Sequence, residues 1–181
     1  MDVFKDITKK TNDGIKFVND DYLIQLSDVI ITAIEKNKNI LLIGIDECGF
    51  DAEHIASELN KIDKPDHPPI KTVALKATRD DDFVSRFVGT WGGKGDVLIT
   101  FSTGNDMYLN ISVETAKLSG MSVISFTGSN TDLMTISDYP VEILSEEPKI
   151  IENGYMISAH FLCELVERGM YNSDRKSKYR R

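Results

Sequence analysis

Short apolar runs alternate with amphipathic stretches along most of the chain. The first run, Asn39–Ile45, is almost wholly apolar, which is typical of a strand buried on both faces of a sheet. Four similar runs follow it, and apolar side chains in the stretches between them recur at helical spacing. The predicted strands are 39–45, 71–75, 96–101, 122–127 and 141–144, and the predicted helices between them are 51–61, 81–91, 106–119 and a short one at 131–136.

Five buried strands joined by helices predict an α/β fold with one parallel, doubly wound sheet flanked by helices. No Pro/Gly-rich linker interrupts the sequence, so we expect a single domain over residues 1–172. Within it we distinguish an N-terminal helical region, an α/β core and a C-terminal helix, followed by a flexible basic tail. These four parts are 1–37, 38–145, 149–171 and 173–181.

The loops after the strands are the first place to look for a ligand, because doubly wound sheets bind ligands beyond the carboxyl ends of their strands. One such loop contains Ser102, Thr103, Gly104 and Asn105, directly before a predicted helix. Hydroxyls and backbone N–H groups at a helix N-terminus can hold a phosphate. The same residue types also make an ordinary turn and helix cap, so the pattern leaves both interpretations open.

Charge and composition narrow the classes of partner. The 181 residues carry a net charge of −8; residues 174–181 carry +4 and the remaining 173 carry −12. An acidic body disfavours nonspecific binding to nucleic acid or to an anionic membrane. The two cysteines, Cys48 and Cys163, form no CxxC motif, and no apolar run approaches the ~20 residues of a membrane span. We therefore expect a cytoplasmic protein that does not bind membranes.

Two pairs of polar residues are candidates for chemistry. His54 and Glu58 are one helical turn apart and share a face, so they can bind one metal ion or exchange protons; they can also be an ordinary surface pair. Glu152 and His160 are eight residues apart in the C-terminal helix, about 12 Å along its axis and about 80° around it. They share a ligand only by leaning together or across a subunit boundary. The alternative is a solvated Glu and a His that packs between helices.

The order of several motifs resembles the sugar isomerase (SIS) domain, and within it the phosphoheptose isomerase family. FVSRFV, GDVLITFST and SGMSVISFTG follow one another at 83–88, 95–103 and 119–128, where the family has sequences similar to FSRYV, GDVLLGISTSGNS and AKGMKVITLTG. The His54–Glu58 pair matches the family's His-x-x-x-Glu, and the segment ending at His160 is similar to RIQExHxxxxH. The resemblance covers essentially the whole chain and implies a five-stranded SIS fold in a homotetramer with active sites at subunit interfaces.

The resemblance also implies roles for individual residues. The reaction would be ketose–aldose isomerisation of a sugar phosphate, of the sedoheptulose 7-phosphate type. Glu58 would abstract a proton beside the carbonyl group, and His160 would move the oxygen-bound proton. The implied zinc ligands are His54, Glu58, Glu152 and His160, and the implied phosphosugar-binding residues are Ser102, Thr103 and Asn105.

Other positions depart from the family pattern. The first loop, CGNGGSxxxA in the family, has Ile45, Asp46 and Glu47 here, and Asp106 lies near the end of the second loop. Carboxylates repel phosphate and cannot donate hydrogen bonds to it. Two hypotheses follow: an isomerase with degenerate phosphate-binding loops, or a non-catalytic SIS tetramer that binds a protein partner, like the family's replication-initiator-associating relative. The segment 161–167 somewhat resembles the C-terminal helix of that relative.

Overall fold

A computed structural model describes residues 2–62, 69–78 and 83–171 of the chain. Within these ranges it has seven helices and five strands. In chain order they are α1 (Val3–Ile15), α2 (Asp20–Glu35), β1 (Asn39–Ile45), α3 (Cys48–Asn60), β2 (Lys71–Ala77), α4 (Phe83–Trp91), β3 (Val97–Phe101), α5 (Met107–Leu118), β4 (Ser122–Gly128), α6 (Leu133–Ile136), β5 (Tyr139–Ile143) and α7 (Pro148–Tyr171).

The five strands form one sheet in the order β2-β1-β3-β4-β5, and each neighbouring pair is parallel. The chain therefore winds outward from β1 to β2, returns to β3 on the other side of β1, and continues to β5. The point where the order reverses lies between β1 and β3, and doubly wound sheets bind their ligands at such a point, beyond the carboxyl ends of the strands. The predicted α/β fold with a parallel, doubly wound sheet is confirmed.

Two apolar cores lie on the two faces of the sheet. Because successive side chains of a strand point to opposite faces, β1 sends Ile40 and Leu42 into one core and Leu41 and Ile43 into the other. The first core is closed by α2, α3 and α7, and the second by α4 and α5. Burial of both faces explains why the strands appear in the sequence as continuous apolar runs.

The two N-terminal helices pack against the last described helix. Helices α1 and α2 both contact α7, and α7 also contacts α3. The predicted N-terminal helical region is interrupted before Asn19, whose side chain caps α2 by accepting a hydrogen bond from the Tyr22 amide at 2.9 Å. The predicted tail, 173–181, and the first two residues of the predicted helix 81–91 lie outside the described residues. Among the helices described, none has the length and apolar character that a membrane crossing requires.

Candidate active site

The loop after β1 is much shorter than the sequence predicted. Helix α3 begins at Cys48, not at Asp51, because Asp46 takes a left-handed backbone conformation (φ 53°) and Glu47 already has helical dihedral angles. The Asp46 amide donates to the Ala77 carbonyl at 2.8 Å, which holds this turn against the end of β2. A Cβ atom on Gly44 would lie 2.0 Å from the Cys48 carbonyl oxygen, so only glycine permits this close approach. The first turn of α3 therefore sits directly on the carboxyl end of β1.

His54 on α3 and His160 on α7 are in direct contact. Their Nε2 atoms are 2.8 Å apart, and the two rings are perpendicular, with centroids separated by 5.0 Å at an interplanar angle of 89°. At this distance one Nε2 donates a hydrogen bond and the other accepts it, so the pair shares one proton. Both side chains are exposed in the single chain. The structure therefore joins two candidate residues that are 106 positions apart in the sequence.

Glu58 lies one helical turn after His54 on α3 and forms an ion pair with Lys61. Its Oε1 accepts a hydrogen bond from Lys61 Nζ at 2.5 Å. That hydrogen bond lowers the pKa of Glu58, and electrostatic interactions with Lys61, His54 and His160 add to the effect. Glu58 is therefore held as a carboxylate beside the histidine pair. The nearby Cys163 has a pKa raised to about 12, mainly by burial and further by the charge of Glu58, so it stays a thiol.

Glu152 lies near a different group of residues. It is exposed on α7, and its pKa is raised first by partial desolvation and then by the negative charges of Asp51 and Glu47. It therefore lies toward the start of α3, among carboxylates. The membership of Glu152 in a metal-ligand set with His160 stays a prediction from the resemblance; the charges that act on Glu152 in the structure are those of Asp51 and Glu47.

The predicted zinc ligands are not arranged around one point. Over residues 2–62, 69–78 and 83–171, no three His, Cys, Asp or Glu side chains are placed to hold one metal ion. Two histidine nitrogens that bind the same tetrahedral zinc at about 2.05 Å lie roughly 3.3 Å apart. The 2.8 Å between His54 and His160 is a hydrogen-bond distance, and Glu58 is paired with Lys61. The side chains as they stand do not fit a zinc ion.

Tyr155 was not singled out in the sequence, yet it lies at the centre of this region. It is fully buried, and its Oη donates to Asp51 Oδ2 at 2.6 Å and lies 3.4 Å from Cys48 Sγ. Burial is the main cause of raised pKa values for Tyr155, Asp51 and Cys48. One sequence signal was available: Tyr155 occupies the position of the first His in the RIQExHxxxxH pattern, five residues before His160.

The candidate phosphosugar loop lies between β3 and α5, and its polar groups make hydrogen bonds within the protein. Ser102 is buried, and its Oγ donates to the Gly104 carbonyl at 2.5 Å. Asn105 Oδ1 accepts a hydrogen bond from the Asp132 amide at 2.8 Å, which ties this loop to the start of α6. Thr103 lies close enough to Cys48 to oppose the rise that burial causes in the pKa of this thiol. A phosphate that binds in this loop has to share or replace some of these bonds.

The N-terminus of α5 is capped by a carboxylate of the protein itself. Asp106 is the N-cap residue, and its Oδ1 accepts hydrogen bonds from the amides of Tyr108 and Leu109, each at 3.0 Å. Free N–H groups and the helix dipole are what make a helix N-terminus attractive to phosphate. The Asp106 carboxylate uses two of these N–H groups and repels a second anion. The acidic departure noted in the sequence thus has a direct structural role.

An open groove of about 370 Å³ runs between α1 and α7 and reaches the histidine pair. His160 lines it together with apolar side chains of both helices, including Ile7, Met156 and Ile157. Further large apolar side chains are exposed nearby on the same two helices. These are Val3, Phe4 and Phe161.

The comparisons with known proteins agree with the resemblance inferred from the sequence. A curated phosphoheptose isomerase of Burkholderia pseudomallei is 29% identical over 160 residues, which cover 81% of each chain. The solved phosphoheptose isomerase structure from Francisella tularensis has a TM-score of 0.78 at 19% identity and covers 92% of this chain and 95% of its own. The one from Neisseria gonorrhoeae has a TM-score of 0.76 at 20% identity, with coverages of 91% and 95%. No family model matches the chain. The chain is thus similar in sequence to curated phosphoheptose isomerases and shares the SIS fold of the solved ones.

Proposed function

We propose that this chain, as a relative of the phosphoheptose isomerases, interconverts the ketose and aldose forms of a seven-carbon sugar phosphate. One observation carries the proposal: His54 and Glu58 on α3 lie next to His160 on α7, and His54 and His160 share a hydrogen bond. These are residues to which the resemblance assigns the chemistry, and they come from distant parts of the sequence.

The residues present are suited to a proton-transfer mechanism. Glu58, held as a carboxylate, takes the proton from the carbon beside the carbonyl group and so forms an enediol. His160 carries the proton between the two substrate oxygens. His54 can supply or receive that proton, because its Nε2 lies 2.8 Å from Nε2 of His160. Glu58 then returns its proton to the former carbonyl carbon, which completes the isomerisation.

The acidic loops affect the binding of the phosphate more than the proton transfer. We propose that Ser102, Thr103 and Asn105 contact the phosphosugar, with Asp106 beside them at the N-terminus of α5. Because Asp106 already accepts two of the helix amides, fewer donors remain for the phosphate. We therefore expect a high KM for the sugar phosphate, while kcat depends on Glu58 and the histidine pair.

Zinc stays a prediction from the family resemblance. Nitrogen and carboxylate ligands suit zinc, which would polarise the sugar oxygens. However, the side chains as arranged do not gather three ligands in the described part of the chain, and no step above depends on a metal. The assay should therefore be run both with added zinc and with a chelator.

We also propose that the protein is a homo-oligomer, a tetramer as the resemblance implies. Apolar side chains of α1 and α7, such as Phe4 and Phe161, are exposed beside the groove that His160 lines. A second copy over this face would bury them and would exclude water from the histidine pair, which is otherwise open to solvent. Light scattering on the purified protein measures the assembly, and a monomer at micromolar concentration would contradict this proposal.

The function is tested by turnover of sedoheptulose 7-phosphate with the wild-type protein and with Glu58→Gln. We expect Glu58→Gln to reduce kcat by about a hundredfold or more, since general-base catalysis contributes about 10²–10⁴-fold. Glu164→Gln is the matched control: Glu164 is also a glutamate in an ion pair, at 2.6 Å from Arg168. We expect it to retain wild-type rates. Absence of turnover by the wild-type protein, with and without zinc, would reject the isomerase and favour the alternative of a protein-binding SIS domain.

A further inference from the structure

Tyr155 contacts two of the three elements that surround the candidate site. It belongs to α7, and its ring packs on Phe101, the last residue of β3, with centroids 5.5 Å apart. Its hydroxyl reaches α3, where it donates to Asp51 at 2.6 Å and lies 3.4 Å from the Cys48 sulfur. The side chain is fully buried, so these contacts are not exchanged for water.

The contacts of Tyr155 continue to both parts of the candidate site. Phe101 directly precedes Ser102 of the candidate phosphosugar loop, so the ring contact between Tyr155 and Phe101 joins α7 to the start of that loop. Asp51 lies one helical turn before His54 on α3. The hydrogen bond between Tyr155 and Asp51 therefore joins α3 to α7 about one turn from the place where His54 meets His160.

We propose that Tyr155 is a positioning residue for the histidine pair. Its hydrogen bond to Asp51 holds α3 against α7 at the separation at which His54 and His160 share a proton, and its ring contact with Phe101 links this geometry to the start of the phosphosugar loop. A hydrogen bond from a buried hydroxyl to a carboxylate is among the stronger ones in proteins. The kinetic part of the inference rests on the proposed isomerase function, whereas the geometric part does not.

A matched control separates positioning from ordinary stabilisation. Tyr22 also loses one hydroxyl hydrogen bond when it is replaced by phenylalanine, since its Oη donates to the Pro140 carbonyl at 3.0 Å. That bond joins α2 to β5 and touches neither α3 nor α7. Tyr155→Phe and Tyr22→Phe therefore make the same chemical change, the first at a buried site and the second at a half-buried one. The hydrogen bond lost in Tyr155→Phe lies beside the histidine pair, and the one lost in Tyr22→Phe does not.

The experiment measures kinetics and the histidine rings in both variants. In Tyr155→Phe we expect kcat to fall by about ten- to a hundredfold with little change in KM, because a small displacement of reacting groups costs up to about 10²-fold. In Tyr22→Phe we expect both constants to stay within about twofold of wild type. Nitrogen-15 spectra of the imidazoles should show shifted Nε2 signals of His54 and His160 in Tyr155→Phe and unshifted signals in Tyr22→Phe.

Asp51→Ala provides a second variant if Tyr155→Phe does not fold. It removes the acceptor and leaves the tyrosine ring on Phe101, and we expect the same shift of the His54 and His160 signals. The inference is overturned if Tyr155→Phe, or Asp51→Ala in its place, matches Tyr22→Phe in the imidazole spectra. If the wild-type protein does not turn over the sugar phosphate, the proposed function fails, and the spectra alone decide whether Tyr155 positions the histidines.

Discussion

Replacement of Gly44 by alanine tests whether the close contact between β1 and α3 sets the geometry of the site. The new Cβ would lie 2.0 Å from the Cys48 carbonyl oxygen, 2.2 Å from the Cys48 carbonyl carbon and 2.6 Å from the Gly49 nitrogen. All three are backbone atoms, so no side-chain rotation can relieve the clash. The first turn of α3 has to move by about 1 Å to reach the shortest separation that real Cβ atoms show, 3.0 Å.

The size of the effect follows from this displacement. Overpacking of a rigid site typically costs 1–3 kcal/mol, and we expect about 3 kcal/mol here because the whole helix start must shift. For a chain of this length each 1 kcal/mol lowers Tm by about 2–4 °C, so we expect Tm to fall by roughly 6–12 °C. Since α3 carries His54 and Glu58, a 1 Å shift should also lower isomerase kcat by about a hundredfold.

Circular dichroism during urea and thermal unfolding measures the stability, and Gly104→Ala is the control. A Cβ atom on Gly104 has no neighbour within 4 Å, so this variant should unfold within about 0.5 kcal/mol of wild type. A Gly44→Ala variant as stable as Gly104→Ala and as active as the wild-type protein would refute this prediction, since α3 would then tolerate the shift that the close contact forbids.

Two further predictions concern single polar contacts. Because Lys61 lowers the pKa of Glu58, Lys61→Met should let that pKa rise, so the acid limb of the kcat/KM profile should move to higher pH. Asp96 is buried and accepts hydrogen bonds from the backbone amides of Asn39 and Gly93, both at 2.9 Å. Asp96→Ala leaves both donors unpaired and should lower the free energy of unfolding by about 2 kcal/mol or more, measured by urea denaturation.

Each of these predictions has its own control. Arg168→Met breaks a comparable ion pair, with Glu164, and should leave the pH profile unchanged; an equal shift in both variants would contradict the role of Lys61. Asp138→Ala removes a less buried carboxylate that accepts from one backbone amide, that of Val123 at 2.9 Å. A loss of stability in Asp96→Ala no larger than in Asp138→Ala would contradict the argument from buried donors.

The sequence by itself determined the order of strands and helices along the chain, and it predicted that the strands form a parallel sheet. A strand buried on both faces needs apolar side chains at nearly every position, so β1 is evident from residues 39–45 alone. In a helix with one buried face, apolar side chains recur every three to four residues. This pattern predicts a helix at 106–119, within one residue of each end of α5. The resemblance to a known family added candidate residues, of which His54, Glu58 and His160 lie together in the structure.

Only the tertiary structure decided which polar side chains meet. Contacts such as His54 with His160 and Asp51 with Tyr155 span more than a hundred positions, and they depend on how α3 and α7 are rotated and packed. Glu152 shares α7 with His160 but lies beside the carboxylates of the first loop. Local patterns fix the face that a helix buries, but the partners of its polar face are set by the packing of whole elements, and the sequence pattern carries little information about that packing.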